Sequence, residues 1–370
     1  MAPTTTRHDV RRITAQFHIH GDFVDAQPYG SGHINDTYCA VFDQGAARVR
    51  YIVQRINHNI FKNPLGLMEN VSRICRHSQA ALRESGAPDA TRRAMTLIPA
   101  RDGQDWLVDA ENNVWRTYIF VEGARGYDVI ENTGQAFQAA RSFGAFQKLL
   151  VDLPGGRLVE TIPNFHNTTA RFAAFQKSLA ADSRNRAKDV KAEVEFLLAR
   201  EKDCSLVVDH IKAGRIPERV THNDTKLNNV LIDDKTQEGI CVIDLDTSMP
   251  GSALYDFGDM VRTSTSPSKE DETDLSKVYL QEAYFEALAR GYMSSAGGFL
   301  NAYEKDLLAF SGKLLTMECG MRFLTDHLDG DAYFKTARPN HNLDRARNQF
   351  KLVADIEGKL DGLNKLVAAL

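Results

Sequence analysis

Residues 221–230 read Thr-His-Asn-Asp-Thr-Lys-Leu-Asn-Asn-Val, and residues 241–244 read Cys-Val-Ile-Asp. This sets an acid at Asp224, an amide at Asn229 and a second acid at Asp244, where an apolar run ends. Phosphoryl transfer from a nucleotide needs these groups. One carboxylate orients or deprotonates the attacking hydroxyl, while an amide oxygen and another carboxylate hold Mg²⁺ against the phosphates. His222, Asp224 and Asn229 also match the H-x-D-x-x-x-x-N spacing of kinase catalytic loops.

Two residues compete for the second metal carboxylate. Residues 256–258 spell Asp-Phe-Gly, the letters of the protein-kinase metal motif, but Leu254-Tyr255 before them reads as a helix start. Asp244 follows the strand-like run Ile240–Ile243, and a strand end can hold a carboxylate within the narrow range that Mg²⁺ demands. Asp244 is therefore the expected ligand, and Asp256 a helix cap or an acceptor supporting the catalytic loop. Asp246 points to the same side as Asp244 if the strand continues. It is open to a second-metal or supporting role, or to plain exposure.

The elements that must position these groups change character along the chain. From about Phe23 to Glu122 the apolar pattern alternates in short runs, Thr37–Phe42, Val49–Ile56, Met95–Ile98, Trp106–Val108 and Val114–Val121. Turn-formers separate them, as in antiparallel strands. A helical period over Leu65 to Glu84 interrupts them. After Gly123 the helical period dominates, in Gln135–Leu150, Thr168–Leu179, Val190–Arg200, Leu275–Ala289 and Glu304–His327. Two short strands, Val230–Ile232 and Ile240–Ile243, carry the motif region. The expected fold class is α+β: a small antiparallel-sheet lobe over residues 1–123 for the nucleotide, then a larger, mostly helical lobe over 124–370 with the catalytic loop and acceptor site.

Bulk properties narrow the setting. The chain has 370 residues, 43% of them hydrophobic, and a net charge of −4. No basic field points to nucleic acid or an anionic membrane surface, and no apolar run approaches the ~20 residues of a membrane span. The five cysteines lie far apart without a CxxC pair, which suits a reducing cytoplasm rather than a disulfide framework. A cytoplasmic monomer or small homo-oligomer is expected.

The motifs VTHNDTKLNNV, VIDLDTSMPG and YDFGD are supported by GSGHINDTY upstream and RFLTDHLDGDAYF downstream, a span from Gly30 to Phe334. On these residues the chain resembles the aminoglycoside phosphotransferase superfamily and, within it, the N-acetylhexosamine 1-kinases. The resemblance implies a two-lobed protein-kinase-like fold, ATP and Mg²⁺ as cofactors, and phosphorylation of the anomeric hydroxyl of a free hexose or N-acetylhexosamine. It places Gly30 and Gly32 in a hairpin over the phosphates, where glycine lets backbone N–H groups approach. Arg55 would stand where protein kinases carry a phosphate-pairing Lys, with Glu69 as its candidate partner. Phe120, Val121 and Glu122 would form the adenine-binding hinge. His33, Arg322 and Tyr333 match sugar-contacting positions, with Asp224 facing the hydroxyl to be phosphorylated. Thr263 stands where an aromatic stacking surface is expected.

Other acceptors for the same machinery are choline, homoserine, methylthioribose or an aminoglycoside. Asp326, Asp329 and Asp331 would suit a cationic one. A nucleotide-binding regulator without catalysis is opposed by the intact Asp224, Asn229 and Asp244. No G-x-x-x-x-G-K-[ST] motif occurs, so a P-loop kinase is not expected.

Overall fold

The computed structural model describes residues 8–30 and 34–370. Contacts divide the chain into two units, one of residues 1–124, 152–162 and 240–248, the other of 125–151, 163–239 and 249–370. The two later segments thus group with the N-terminal unit, although they lie beyond the expected boundary at residue 123.

The first unit is built on an antiparallel sheet in the order β1 (Asp22–Pro28), β2 (Asp36–Asp43), β3 (Arg48–Arg55), β5 (Val114–Ile119), β4 (Leu107–Val108). Helix α1 (Val10–Thr14) precedes it, and α2 (Pro64–Glu84) and α3 (Ala90–Arg93) follow β3. Alternation along β3 splits its side chains between two faces. Val53 joins Val10, Phe17, Ala40, Phe42 and Trp115 in a core against α1. Gln54 and Arg116, paired in register, belong to the opposite face. Helix α2 starts where Asn63 accepts from the Gly66 N–H, with Pro64 in its first turn, and buries Leu67, Val71 and Ile74 on one stripe. The run Met95–Ile98 forms no strand; only Leu97 bridges to Tyr118.

The second unit is mostly helical. Its elements are β6 (Ala124–Arg125), α4 (Thr133–Leu149), α5 (Thr168–Ala181), α6 (Lys191–Leu198), α7 (Glu201–Lys212), β7 (Arg219–Thr221) and β8 (Val230–Asp233). After β9 (Gly239–Val242) come β10 (Met249–Gly251), α8 (Ala253–Ser264), α9 (Glu282–Ala296), α10 (Ala302–Asp306), α11 (Leu308–Asp329) and α12 (His341–Ala368). Helix α11 is buried along most of its length, between α8, α5 and α12. The helix expected over Leu275–Ala289 begins only at Glu282. The chain before it is held in loop form: Leu280 N–H donates to Asp355 and Gln281 N–H to the Thr265 carbonyl, at 2.7 and 2.9 Å.

Candidate active site

Within the second unit, β7 and β10 pair antiparallel and deliver the chain to His222. Asn223 takes a left-handed φ of 64°, which turns the backbone sharply before Asp224. The fully buried Asp256 of α8 closes this turn. Its carboxylate accepts the His222 and Asn223 N–H groups at 2.9 and 2.7 Å and the Gln147 side chain at 2.5 Å. Of the two roles open to Asp256 in the sequence, support of the loop is the one seen. Burial pushes its pKa up, against the lowering effect of His222 and these hydrogen bonds.

One helical turn on, Asp259 accepts from the Thr225 N–H at 2.9 Å and pairs with Arg262 at 2.8 Å. Two carboxylates of α8 therefore bind consecutive parts of the loop, leaving Asp224 held from below. Asn229 gives its amide N–H to the Asp224 carbonyl at 2.8 Å. That bond fixes the orientation of the amide beside Asp224. The Asp224 carboxylate is 28% exposed and pairs with Lys226 Nζ at 2.9 Å. Lys226 lies two positions beyond Asp224 in the motif itself, a signal the reading by acids and amides passed over. Burial works against its charge, but Asp224 outweighs this and holds its pKa above the ordinary value.

Asp244 belongs to the first unit. It lies two residues beyond the end of β9, rather than on the strand end expected, as an exposed residue with φ of 60° that leads into a 3-10 turn over Leu245–Thr247. Among the described residues no cluster of three His, Cys, Asp or Glu could hold a metal. Mg²⁺ bound with a nucleotide needs fewer, because phosphate oxygens and waters complete its shell. An amide oxygen and a carboxylate are hard donors that fit such an ion.

Around the expected hinge, Phe120 N–H donates to the Arg50 carbonyl, and the Arg50 guanidinium lies 3.8 Å from the Phe120 ring centroid. Arg50 Nε also donates to Glu122 at 2.9 Å, which lowers the Glu122 pKa. Arg92 occupies the carbonyls of Glu122 and Gly123, both at 2.9 Å. Val121 is half-buried between these groups. Tyr29 stands edge-on to Phe120 at 5.5 Å, and Gly30 follows it with φ of 84°. Gly32 and His33 lie outside the described residues.

Arg55 is placed differently from the expectation. It pairs with Asp36 at 2.6 Å and donates to Asn113, on the face of β3 that carries Val53. Glu69 is exposed and is not its partner. The adjacent Gln54 points the other way, into a row in which Arg116 donates to Gln54 and Gln54 to Thr37, each at 3.0 Å. A one-residue step along a strand changes the face, so motif position alone could not separate Arg55 from Gln54.

The acceptor candidates sit in the second unit beside the catalytic loop. The Arg322 guanidinium lies 5.5 Å from the Phe165 ring, 5.4 Å from Phe334 and 6.0 Å from the exposed Tyr333. Arg171 donates twice to the Phe165 carbonyl, at 2.9 and 3.2 Å. Its pKa is lowered by burial and then by Arg322. Next to Phe165, His166 reaches the Asn223 carbonyl at 3.0 Å and Glu318 at 2.9 Å, tying this cluster to the loop. His166 and Glu318 drew no notice in the sequence, where they stand 152 residues apart. Thr263 donates to the Asp259 carbonyl of its own helix at 2.9 Å.

The three acids that would suit a cationic acceptor are engaged elsewhere. Asp326 accepts the N–H groups of Ala332, Tyr333 and Phe334. Asp331 pairs with Arg186 and Asp329 accepts from Ser178.

An antiparallel-sheet region followed by a helical region, with Asp224 and Asn229 joined in one loop, is the protein-kinase-like α+β fold of phosphotransferases. The chain belongs to the phosphotransferase enzyme family (APH), which matches residues 25–294. Solved structures agree on the fold. An aminoglycoside phosphotransferase from Alicyclobacillus acidocaldarius is 13% identical with a TM-score of 0.66, over 100% of this chain and 99% of that one. A choline kinase from Cryptosporidium parvum is 12% identical with a TM-score of 0.59, over 96% of each chain. A microcompartment-associated aminopropanol kinase is 16% identical with a TM-score of 0.58, over 96% and 98%. No helix among the described residues is long and apolar enough to cross a membrane.

Proposed function

We propose that this small-molecule kinase uses ATP and Mg²⁺ to phosphorylate the anomeric hydroxyl of a free hexose or N-acetylhexosamine. Asp224 accepts a hydrogen bond from the C1 hydroxyl and takes its proton late in the transfer. The hydroxyl oxygen bonds to the γ-phosphorus as the bond to the β-phosphate oxygen breaks, and ADP leaves. Asn229 and Asp244 are the residues that would hold Mg²⁺, which supplies charge neutralisation on the phosphates. Lys226 pairs with Asp224 and adds a cation near the transferred group. Most of the acceleration comes from positioning and electrostatics, since the loop is held rigidly by Asp256 and Asp259.

The observation that carries the sugar reading is the cationic and aromatic character of the group around Phe165. Arg171 and Arg322 both lie against this residue, and among the described residues neither forms an ion pair with a carboxylate. Choline and aminopropanol, the compounds named for two structural relatives, carry a cationic nitrogen at neutral pH, and two guanidinium groups would repel them. A neutral, hydroxyl-rich acceptor instead gains donors from arginine and a stacking edge from Tyr333. His33, at the remaining matched position, completes this proposed contact set.

The test is incubation with ATP and Mg²⁺ against free hexoses, N-acetylhexosamines, choline and aminoglycosides, with phosphorus NMR of each product. A glycosyl phosphate is expected, its formation abolished by chelating Mg²⁺. Phosphorylation of choline or an aminoglycoside alone would overturn the sugar assignment.

A further inference from the structure

Asp246 lies two residues beyond Asp244, and its geometry differs from that of a metal ligand. Arg116 Nη1 donates to one carboxylate oxygen at 2.5 Å and Asn35 Nδ2 to the other at 2.6 Å. The Arg116 and Asp246 side chains are 1% and 3% exposed. All these residues belong to the first unit. Each oxygen is thus engaged, and a metal that displaced Arg116 from Asp246 would strand a buried charge.

The contacts continue outward from this pair. Arg116 Nε donates to Gln54 and Gln54 to Thr37, so the guanidinium is fixed across β5, β3 and β2. Asn35 Oδ1 accepts the Asn57 N–H at 3.0 Å, while Asn57 Nδ2 donates to the Ile34 carbonyl at 2.9 Å. The chain entering β2 is therefore stitched to the end of β3 and to Asp246 together. On the other side of the acidic segment, Asn70 of α2 donates to the Ser248 carbonyl at 3.2 Å and to Val159 at 2.7 Å. The segment 244–248 is anchored at both Asp246 and Ser248. Asp244, in its left-handed turn, is the exposed first residue of this anchored piece.

We infer that Asp246 is a positioning residue: clamped by Arg116 and Asn35, it couples the entry of β2 to the Asp244 segment, so that both are set before Mg²⁺-nucleotide binds. In protein kinases a strand Lys and a helix Glu form the ion pair that must be in place for catalysis. Here the cation comes from β5 and the carboxylate from the metal segment itself. Arg116 is too deeply buried to be a phosphate contact, so it acts through Asp246. This inference rests on the proposed role of Asp244 as a Mg²⁺ ligand.

The test uses the full chain and three variants, Asn35→Ala, Asp246→Asn and Arg116→Lys. Asn35→Ala removes one half-buried amide and leaves the ion pair, so it is expected to fold; thermal melting verifies this. Amide hydrogen exchange of the nucleotide-free protein should then quicken in residues 34–37 and in 244–248 together. Calorimetry with Mg²⁺·ADP should show affinity weakened roughly 5- to 30-fold, with Mg²⁺-free ADP binding changed far less. Asp246→Asn and Arg116→Lys should move the same readouts in the same direction where they fold, with the KM of the acceptor unchanged. Exchange that quickens only around residue 35, with Mg²⁺·ADP bound as in the wild type, overturns the coupling. So does an Asp246→Asn protein that loses one Mg²⁺ per nucleotide, since that would make Asp246 a ligand. A wild-type protein that binds no Mg²⁺·ADP would overturn the kinase mechanism itself, and this inference with it.

Discussion

His166 stands between two acceptors, its Nδ1 2.9 Å from a Glu318 carboxylate oxygen and its Nε2 3.0 Å from the Asn223 carbonyl. A neutral imidazole has one N–H and could satisfy only one of them. The geometry calls for the doubly protonated ring, which makes a buried cation part of the support beneath the catalytic loop. Burial opposes this charge, but Glu318, the Asn223 carbonyl and the more distant Asp259 together raise the pKa above its ordinary 6.5. Tyr255 and Phe165 flank the ring. Because the folded value is the higher one, the stabilisation is complete below pH 6.5 and is lost as pH rises through the raised value. Denaturant unfolding of wild type and His166→Gln should therefore show a stability gap of about 1.5–3 kcal/mol at pH 6 that narrows steadily in alkaline buffer. A gap independent of pH would mean that the ring is neutral.

Removal of the Asp256 carboxylate should damage the loop more than the rest of the unit. Three donors converge on it, two of them buried backbone N–H groups. Asp256→Ala orphans all three, and each orphan costs about 1–3 kcal/mol. A fall in unfolding free energy of several kcal/mol is expected, with a large loss of turnover in whatever fraction folds. Asp256→Asn, which keeps one acceptor oxygen, should fall between the two. Equal stability of Asp256→Ala and wild type in denaturant titrations would refute the anchoring role.

The fraction of this arrangement that was legible in the sequence depended on locality. The spacing from His222 to Asn229 lies within one loop, and there the motif and the structure coincide. The strands β2 and β3 announced themselves because one face is buried against α1, and Ala40 and Phe42, like Val49, Tyr51 and Val53, recur with the period of two. What stayed hidden was whatever needed tertiary contact. The pairings His166–Glu318 and Asn35–Asp246 join residues 152 and 211 positions apart, and no local pattern marks them. Helix α12, 28 residues long, was legible in principle, since Leu343, Ala346, Phe350 and Val353 recur at helical spacing. Arg55 and Gln54 show the limit from the other side, since neighbouring strand residues face opposite ways and a one-residue ambiguity becomes a change of partner.

Lys226 should matter to the chemical step more than to folding. Its side chain is 47% exposed, and its ammonium reaches Asp224 at 2.9 Å. Lys226→Met should lower kcat about 100- to 1000-fold, the scale of losing one charge-stabilising donor. The melting temperature should shift little, because the side chain is not part of the core. Lys226→Arg should recover part of the rate. Steady-state kinetics with the acceptor identified by product NMR would check this, and a change confined to nucleotide KM would remove Lys226 from the transfer step.

Gly258 separates the two readings of the Asp-Phe-Gly letters. It lies in the middle of α8, and a Cβ there would stand 2.3 Å from the Ser311 carbonyl oxygen and 3.0 Å from Leu315 Cδ2. The glycine is a contact point between α8 and α11 rather than a hinge beside a metal. Alanine favours helix by about 1 kcal/mol over glycine, so an open site would be stabilised by Gly258→Ala. Here backbone blocks it, and the two helices must separate, at a net cost of about 1–3 kcal/mol. Helix α8 carries Asp256 and Asp259, so its displacement should also loosen the His222–Thr225 backbone and reduce turnover. Thermal melting together with a Mg²⁺ titration decides between the readings. A lowered midpoint with unaltered Mg²⁺ dependence is expected. An unchanged midpoint with altered Mg²⁺ dependence would instead return these three residues to the metal site and displace Asp244 from it.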